Sequence, residues 1–277
     1  MSPTWHSDTP PPFEKITFAG WFRFALRVVP LLIVLSIGLA LSLLLRLFER
    51  PVFGLARPIT PFITVVVCRI ALKIIGLRID LIGQPMTGQG ALVANHSSWL
   101  DIIVLNARKR VYFVSKSDVA SWPGIGWLAR ATGTVFITRK RSKAGAQAAL
   151  FRTRLQAGHK LLFFPEGTSS DGLQVLPFKS SLFAAFFTPE LRDVLSLQPV
   201  SVTYHAPPGM DRRFYGWWGN MDFGPHILKV LASSRQGHVS INYHPPLKAR
   251  DYDERKSLSQ TCEAQVRAGH SDNQQDR

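Results

Sequence analysis

The sequence predicts an α/β layered domain preceded by a membrane-helix segment. Three observations point there. Between residues 77 and 268, short apolar runs of strand length alternate with longer stretches of helical length. That alternation belongs to helices layered on a sheet. Residues 28–45 carry no charged side chain, close to the ~20 apolar residues that a bilayer crossing needs. The chain is 46% hydrophobic over 277 residues and still carries a formal charge of +15, which implies an anionic partner such as a membrane surface. The expected organisation is a mobile tail at 1–19, a membrane anchor at 20–76, the layered domain at 77–268 and a disordered tail at 269–277.

Residues 1–15 are polar and proline-rich, which argues against packing. Residues 22–47 form the candidate spanning helix, with Pro30 in its first turns and Trp21 and Phe22 suited to the interface. The apolar core begins too late for a cleaved leader. Arg23 and Arg27 at one end oppose Arg46, Arg50 and Arg57 at the other, so charge does not set the orientation. A second apolar segment, 59–77, carries Arg69 and Lys73 on one helical face. It reads as an interfacial or hairpin helix with both cations at headgroups; a helix packed on the domain core is the alternative. Gly76 suits a helix stop.

Residues 77–82 alternate as a strand does, and 84–89 form a Gly- and Pro-containing turn. Strands are expected at 91–94, 111–114, 135–137, 161–164, 197–202 and 239–243. Helices are expected after His96 and at 143–156, 181–187 and 253–267. Trp99, Trp122, Trp127, Phe178, Phe183, Phe186 and Phe187 are read as core, with an acyl tunnel as the alternative. Cys68 and Cys262 are far apart and make no redox or metal-ligand spacing, and His205, His226, His238 and His244 are scattered, so no metal is expected. Unpaired cysteines fit a cytosol-facing chain. Nucleic-acid binding would rest on charge alone, and the apolar N-terminal span argues against it.

The chemistry-bearing stretch is Asn95-His96-Ser97-Ser98-Trp99-Leu100-Asp101. It follows the 91–94 strand, so His96 stands at a strand-to-helix turn, where side chains face a cleft. Asn95 or Ser97 is expected to cap the helix. Asp101, about one helical turn on, can bond one imidazole nitrogen and leave the other to take a proton. Gly133-Thr134-Val135-Phe136-Ile137-Thr138-Arg139 and Phe164-Pro165-Glu166-Gly167-Thr168-Ser169 follow in order. No Gly-x-Ser-x-Gly elbow is present, which disfavours a serine hydrolase.

Those three blocks, with Leu197-Gln198-Pro199-Val200 behind them, resemble the glycerolipid acyltransferase family, which includes 1-acylglycerol-3-phosphate acyltransferases. The likeness spans about residues 77–202. It implies a mixed central sheet flanked by helices, and transfer of a fatty acyl group from acyl carrier protein or coenzyme A to a lysolipid hydroxyl. No cofactor beyond that co-substrate is implied. The acceptor hydroxyl itself takes the place of a protease serine, with His96 as base and Asp101 holding its tautomer. Asn95, Arg139, Glu166, Gly167, Thr168 and Lys179 are the expected substrate-binding residues. Arg139 suits a phosphate or carboxylate, and Glu166 is read as meeting a substrate hydroxyl or a cationic side chain. Backbone N–H groups near Gly167 are the expected oxyanion donors.

Phosphatidate-forming relatives often carry arginine after Glu-Gly-Thr, where this chain has Ser169. Glu166-Gly167-Thr168-Ser169-Ser170-Asp171-Gly172 is more similar to bacterial lyso-ornithine lipid acyltransferases. That likeness implies a bacterial inner-membrane enzyme with its site toward the cytoplasm, acting on lyso-ornithine lipid, with lysophosphatidate as a further acceptor. A catalytically inactive protein that binds anionic lipids is the alternative.

Overall fold

In the computed structural model, residues 4–7, 15–122, 124–138 and 144–275 are described. An eight-stranded mixed sheet forms the middle layer. Its strands are β1 (Arg78–Gly83), β2 (Gly90–Ala94), β3 (Tyr112–Lys116), β4 (Val135–Ile137), β5 (Leu161–Phe163), β6 (Ser196–His205), β7 (His238–Tyr243) and β8 (Leu247–Lys248). The order is β1-β7-β6-β2-β5-β3-β4, with β8 beside β6. From β6 through β2, β5 and β3 to β4 the pairs are parallel. β7 runs antiparallel to β6, and β1 lies parallel to β7.

Strands buried on both faces read as continuous apolar runs, and β2 is buried at every residue. Leu92 and Ala94 join the core under α2 (Thr60–Ile75), α3 (Leu100–Arg108) and α7 (Phe223–Ala232). Ala91 and Val93 point the other way, toward α5 (Ala144–Gln156), the 3₁₀ segment Ser180–Phe187 and α8 (Arg255–Gln275). Phe178, Phe183 and Phe186 are core residues there, whereas Trp122 and Trp127 are exposed.

α1 (Phe18–Phe53) is 36 residues long, with mean hydropathy 2.8 over its most apolar window and little of that window buried. By length and composition it suffices to cross a membrane. It forms a hairpin with α2. Gly38 lets the two helices touch, because a Cβ there would lie 2.4 Å from Val67. Glu49 of α1 supplies the cap that Ile59 lacks, accepting from the Ile59 and Thr60 N–H groups and the Thr60 hydroxyl. α2 is also a core helix, burying Cys68, Ala71, Leu72 and Ile75. Lys73 and Arg69 both stay exposed, and Arg69 is also tied to the domain. Its Nε donates to the Ala107 carbonyl near the end of α3 (2.9 Å).

Both ends of the hairpin are bonded to the α/β domain. At the start of α1, Arg23 donates to Ala232 O (2.9 Å), and Arg27 to Leu231 O (2.7 Å) and Ser233 O (2.6 Å). These carbonyls close α7, where unpaired acceptors and the negative end of the helix dipole favour a cation. Just past α1, Leu55 O meets His159 Nε2 and Arg57 donates to Ala131 O. About 40 Å of helix separates the two attachments at 1.5 Å per residue.

Several expectations need correction. Residues 4–7 are laid against the domain, with Trp5 packed on Trp218; residues 1–3 and 8–14 lie outside the described residues. The 269–277 tail is helical as far as Gln275, and His270 and Asn273 are buried. Gly269, where the disordered tail was expected to begin, instead serves close approach: a Cβ there would lie 2.7 Å from Ser201 Oγ on β6 and 2.6 Å from the His244 ring. The helices α4 (Ile125–Thr132), α6 (Pro189–Arg192) and α7, with β8, were not expected, being short or masked by Gly and Pro.

Arg27→Ala should lower stability by about 1–3 kcal/mol, the range for charged hydrogen bonds, read by denaturant titration in detergent. An unchanged midpoint would show that this arginine does not hold α1 to α7.

Candidate active site

β2 ends at Ala94, and Asn95 continues its pairing with a side chain. Asn95 Oδ1 accepts from Val202 N and Nδ2 donates to Val202 O, both at 2.8 Å. Asn95 is fully buried. It neither caps the helix nor faces substrate, a correction to both expectations; it locks the turn to β6.

Ser98 and Asp101 share the cap, with Ser98 Oγ accepting from Leu100 N at 3.3 Å. Trp99 occupies the N-cap position of α3 without a side-chain cap bond. Asp101 Oδ2 instead accepts from Ser97 N (2.9 Å), Ser98 N (3.1 Å) and His96 Nδ1 (2.7 Å). Its other oxygen accepts from the Tyr204 hydroxyl at 2.6 Å. The carboxylate has no solvent exposure, so these donors, with the positive end of the helix dipole, replace its water. Burial and the Asp101 charge hold the Tyr204 hydroxyl well above its ordinary range, so it stays a donor.

An ionised carboxylate only accepts, so His96 Nδ1 carries the hydrogen and Nε2 carries the lone pair. The ring stacks on Phe164 at 4.2 Å and 13°. The side chain is 21% exposed, and Nε2 has no protein partner among the described residues. An oriented, accessible base results.

The Glu-Gly-Thr turn meets the same histidine. Glu166 Oε1 accepts from His96 N at 2.9 Å, and the side chain is 1% exposed. Burial pushes this carboxyl well above the usual carboxylate range, and Asp101 adds to the rise; the His96 and Leu176 N–H groups oppose it. Glu166 therefore clamps the catalytic turn instead of meeting a substrate group, which corrects its expected role. Ser170 N completes the clamp on His96 O at 2.9 Å.

Gly167 has φ +76°, a left-handed conformation that favours glycine. Its N–H is spent within the turn on Phe164 O, so it is not free for an oxyanion. Thr168 is half-buried, and its Oγ1 accepts from Trp5 N at 3.4 Å. Lys179 reaches this turn through its backbone N–H to Pro165 O (3.0 Å). Arg139 lies outside the described residues.

Tyr204, Phe164, Ser170 and Trp5 were missed by sequence reasoning. Tyr204 is 103 positions from Asp101, and only strand alternation on β6, which puts Val200, Val202 and Tyr204 on one face, hints at it. His226 was read as one of several scattered histidines. Its Nδ1 accepts from Trp99 Nε1 (2.9 Å) and its Nε2 donates to Gly216 O (2.8 Å), which steadies the residue opening α3.

Tyr204→Phe should leave the fold intact, cost about 1.5–3 kcal/mol of stability and lower the turnover rate by about tenfold. Unchanged turnover would remove Tyr204 from the positioning of Asp101. A second expectation concerns acid. Burial, aided by Lys229, depresses His226 to about 3; burial, aided by Arg154, takes His159 to about 4; burial, aided by Arg267, takes His270 to about 4. An unfolded imidazole titrates near ~6.5, so below that pH the unfolded chain binds more protons and stability falls with pH. Glu166 works in the opposite sense, but burial also depresses His244, and the hydrogen-bonded carboxyls of Glu49 and Asp211 are held low, so the balance stays with the rings. The thermal midpoint should therefore drop as pH falls from about 6.5 toward 4, and a flat profile would contradict the neutral burial of these rings.

The family described as Acyltransferase matches residues 81–203, which hold His96, Asp101 and the Glu-Gly-Thr turn. A lyso-ornithine lipid O-acyltransferase of Rhodobacter capsulatus is 57% identical over 96% of this chain and 97% of its own. One of Brucella abortus is 37% identical over 72% of this chain and 78% of its own. A 1-acyl-sn-glycerol-3-phosphate acyltransferase of Neisseria gonorrhoeae is 33% identical over 66% and 71%. The crystal structure of the 1-acyl-sn-glycerophosphate acyltransferase of Thermotoga maritima shares the fold, with a TM-score of 0.61 at 21% identity over 92% of this chain and 95% of that one. With the histidine–aspartate pair built as described and relatives alike over nearly the full length, the chain belongs to the acyltransferase family.

Proposed function

We propose that this acyltransferase moves a fatty acyl group from the thioester of acyl carrier protein or coenzyme A to the hydroxyl of lyso-ornithine lipid, with lysophosphatidate as a lesser acceptor. The observation that carries the chemistry is the His96 Nε2 lone pair, exposed while Nδ1 is held by a buried carboxylate. The acceptor hydroxyl loses its proton to Nε2 as its oxygen attacks the thioester carbon. The imidazolium then gives that proton to the departing thiolate as the C–S bond breaks. Asp101 stabilises the transient positive charge. No acyl group is attached to the enzyme. The Thr168 and Ser169 N–H groups have no partner among the described residues and follow directly on the clamped turn, which suits them to the oxyanion.

The acceptor reading rests on the names of the Rhodobacter and Brucella relatives and on Ser169. A cation at that position would add a charged hydrogen bond to a phosphate acceptor, on the order of 1.5–3 kcal/mol; serine withdraws it. For the membrane, the attachments of α1 support a hairpin lying in one leaflet. A crossing helix would carry Arg27 and Leu55 to opposite sides, yet both are bonded to one domain. The cytoplasmic face of the inner membrane supplies both donors and acceptor.

Purified enzyme offered lyso-ornithine lipid and lysophosphatidate with labelled carrier-protein and coenzyme A donors should favour the ornithine lipid. His96→Ala should reduce transfer by about 10²–10⁴-fold, the usual worth of a general base, with an unchanged melting profile. Product on lysophosphatidate alone would overturn the acceptor assignment, and full activity of His96→Ala would overturn the mechanism.

A further inference from the structure

A second site lies at the opposite end of the sheet. β2, β3 and β5 are parallel, and His96 and Glu166 follow their C-terminal ends. Around their N-terminal ends, beneath the turn joining α1 to α2, is an open cleft of about 480 Å³. Its lining includes Arg57, Lys109, Arg110, His159 and Lys160, and no acidic side chain among the described residues. The nearby acid, Glu49, is spent on capping α2 and on Arg46.

Glu49 offsets part of the charge on Arg57, but only cations act on Lys109 and Lys160. Burial, and after it the neighbouring cations, lower the ammonium pKa values of Lys109 and Lys160. The Lys109 ammonium has no hydrogen bond or ion pair among the described residues, and Lys160 gives two of its three ammonium N–H groups to Thr87 O and Gly88 O. His159 is fixed by stacking on Tyr112 and by Leu55 O, and its Nδ1 is buried with no partner. Such a set is stabilised by a multivalent oxyanion. The rim is apolar and exposed: Phe53, Leu55, Ile59 and Phe62 are 45–52% accessible, and Arg110 lies over the Phe62 ring at 4.3 Å.

We propose that this cleft binds the phosphate headgroup of an anionic phospholipid, with the lipid's apolar part against the α1–α2 turn. The site is separate from the catalytic centre and tethers the far end of the domain to the bilayer. A phosphate alone would satisfy the cations but not the apolar rim, which is why the rim favours a lipid as its source.

The test uses the full chain in nonionic detergent, titrated with dihexanoyl phosphatidylglycerol, dihexanoyl phosphatidylcholine and inorganic phosphate. Phosphatidylglycerol should bind saturably, and about tenfold or more tighter than either of the other two. Combined Lys109→Gln, Arg110→Gln and Lys160→Gln should weaken that binding at least about tenfold while acyl transfer in mixed micelles persists. The matched change of Lys248, Arg255 and Lys256, exposed elsewhere, to glutamine should leave it unaltered. If the triple cleft variant does not fold, Lys109→Gln alone, whose side chain supports no other element, should still weaken binding severalfold. Equal binding by the cleft variant, equal loss in the control variant, or inorganic phosphate binding as tightly as the lipid would each overturn the proposal.

Discussion

A carboxylate sealed from water holds this active site together. Asp101 sits at the first turn of α3 and takes hydrogens from His96, Ser97, Ser98 and Tyr204. Taking a carboxylate out of water costs several kcal/mol, and this one is tolerated because every side of it is met by a donor. The same contacts cap the helix, bend the backbone after β2 and choose the tautomer of the histidine. The helix start, the turn and the orientation of the imidazole thus share one set of bonds.

The rest of the domain serves that contact. Asn95 seals the end of β2 to β6 with two hydrogen bonds, and β6 brings Tyr204 to the carboxylate. Glu166 and Ser170 grip the two peptide groups flanking the His96 Cα, so the Glu-Gly-Thr turn cannot shift without moving His96. The last turns of α8 reach the loop behind it, with His270 bonded to Gly172 O. The α1–α2 hairpin is fastened to the domain at both ends.

Much of this was legible from local pattern. The apolar runs located most of the strands, and the His-x4-Asp spacing located the bonded histidine–aspartate pair, because strand-to-helix turns are written within a few residues. What stayed hidden depends on long-range contact. Glu166 looks like a substrate ligand in sequence, and only burial shows it turned inward. Arg23 and Arg27 look like topology charges but are spent on helix-end carbonyls. Gly269 carries the same letter whether it ends a helix or lets one approach β6.

The central claim is that Asp101 fixes His96 with its hydrogen on Nδ1. The direct measurement is nitrogen-15 NMR of histidine-labelled enzyme in detergent micelles, with the His96 resonance assigned by comparison with His96→Ala and read at a pH where imidazole is neutral. The account predicts a protonated Nδ1, an unprotonated Nε2 and a strongly downfield proton shared with Asp101. A neutral ring protonated at Nε2 would contradict it.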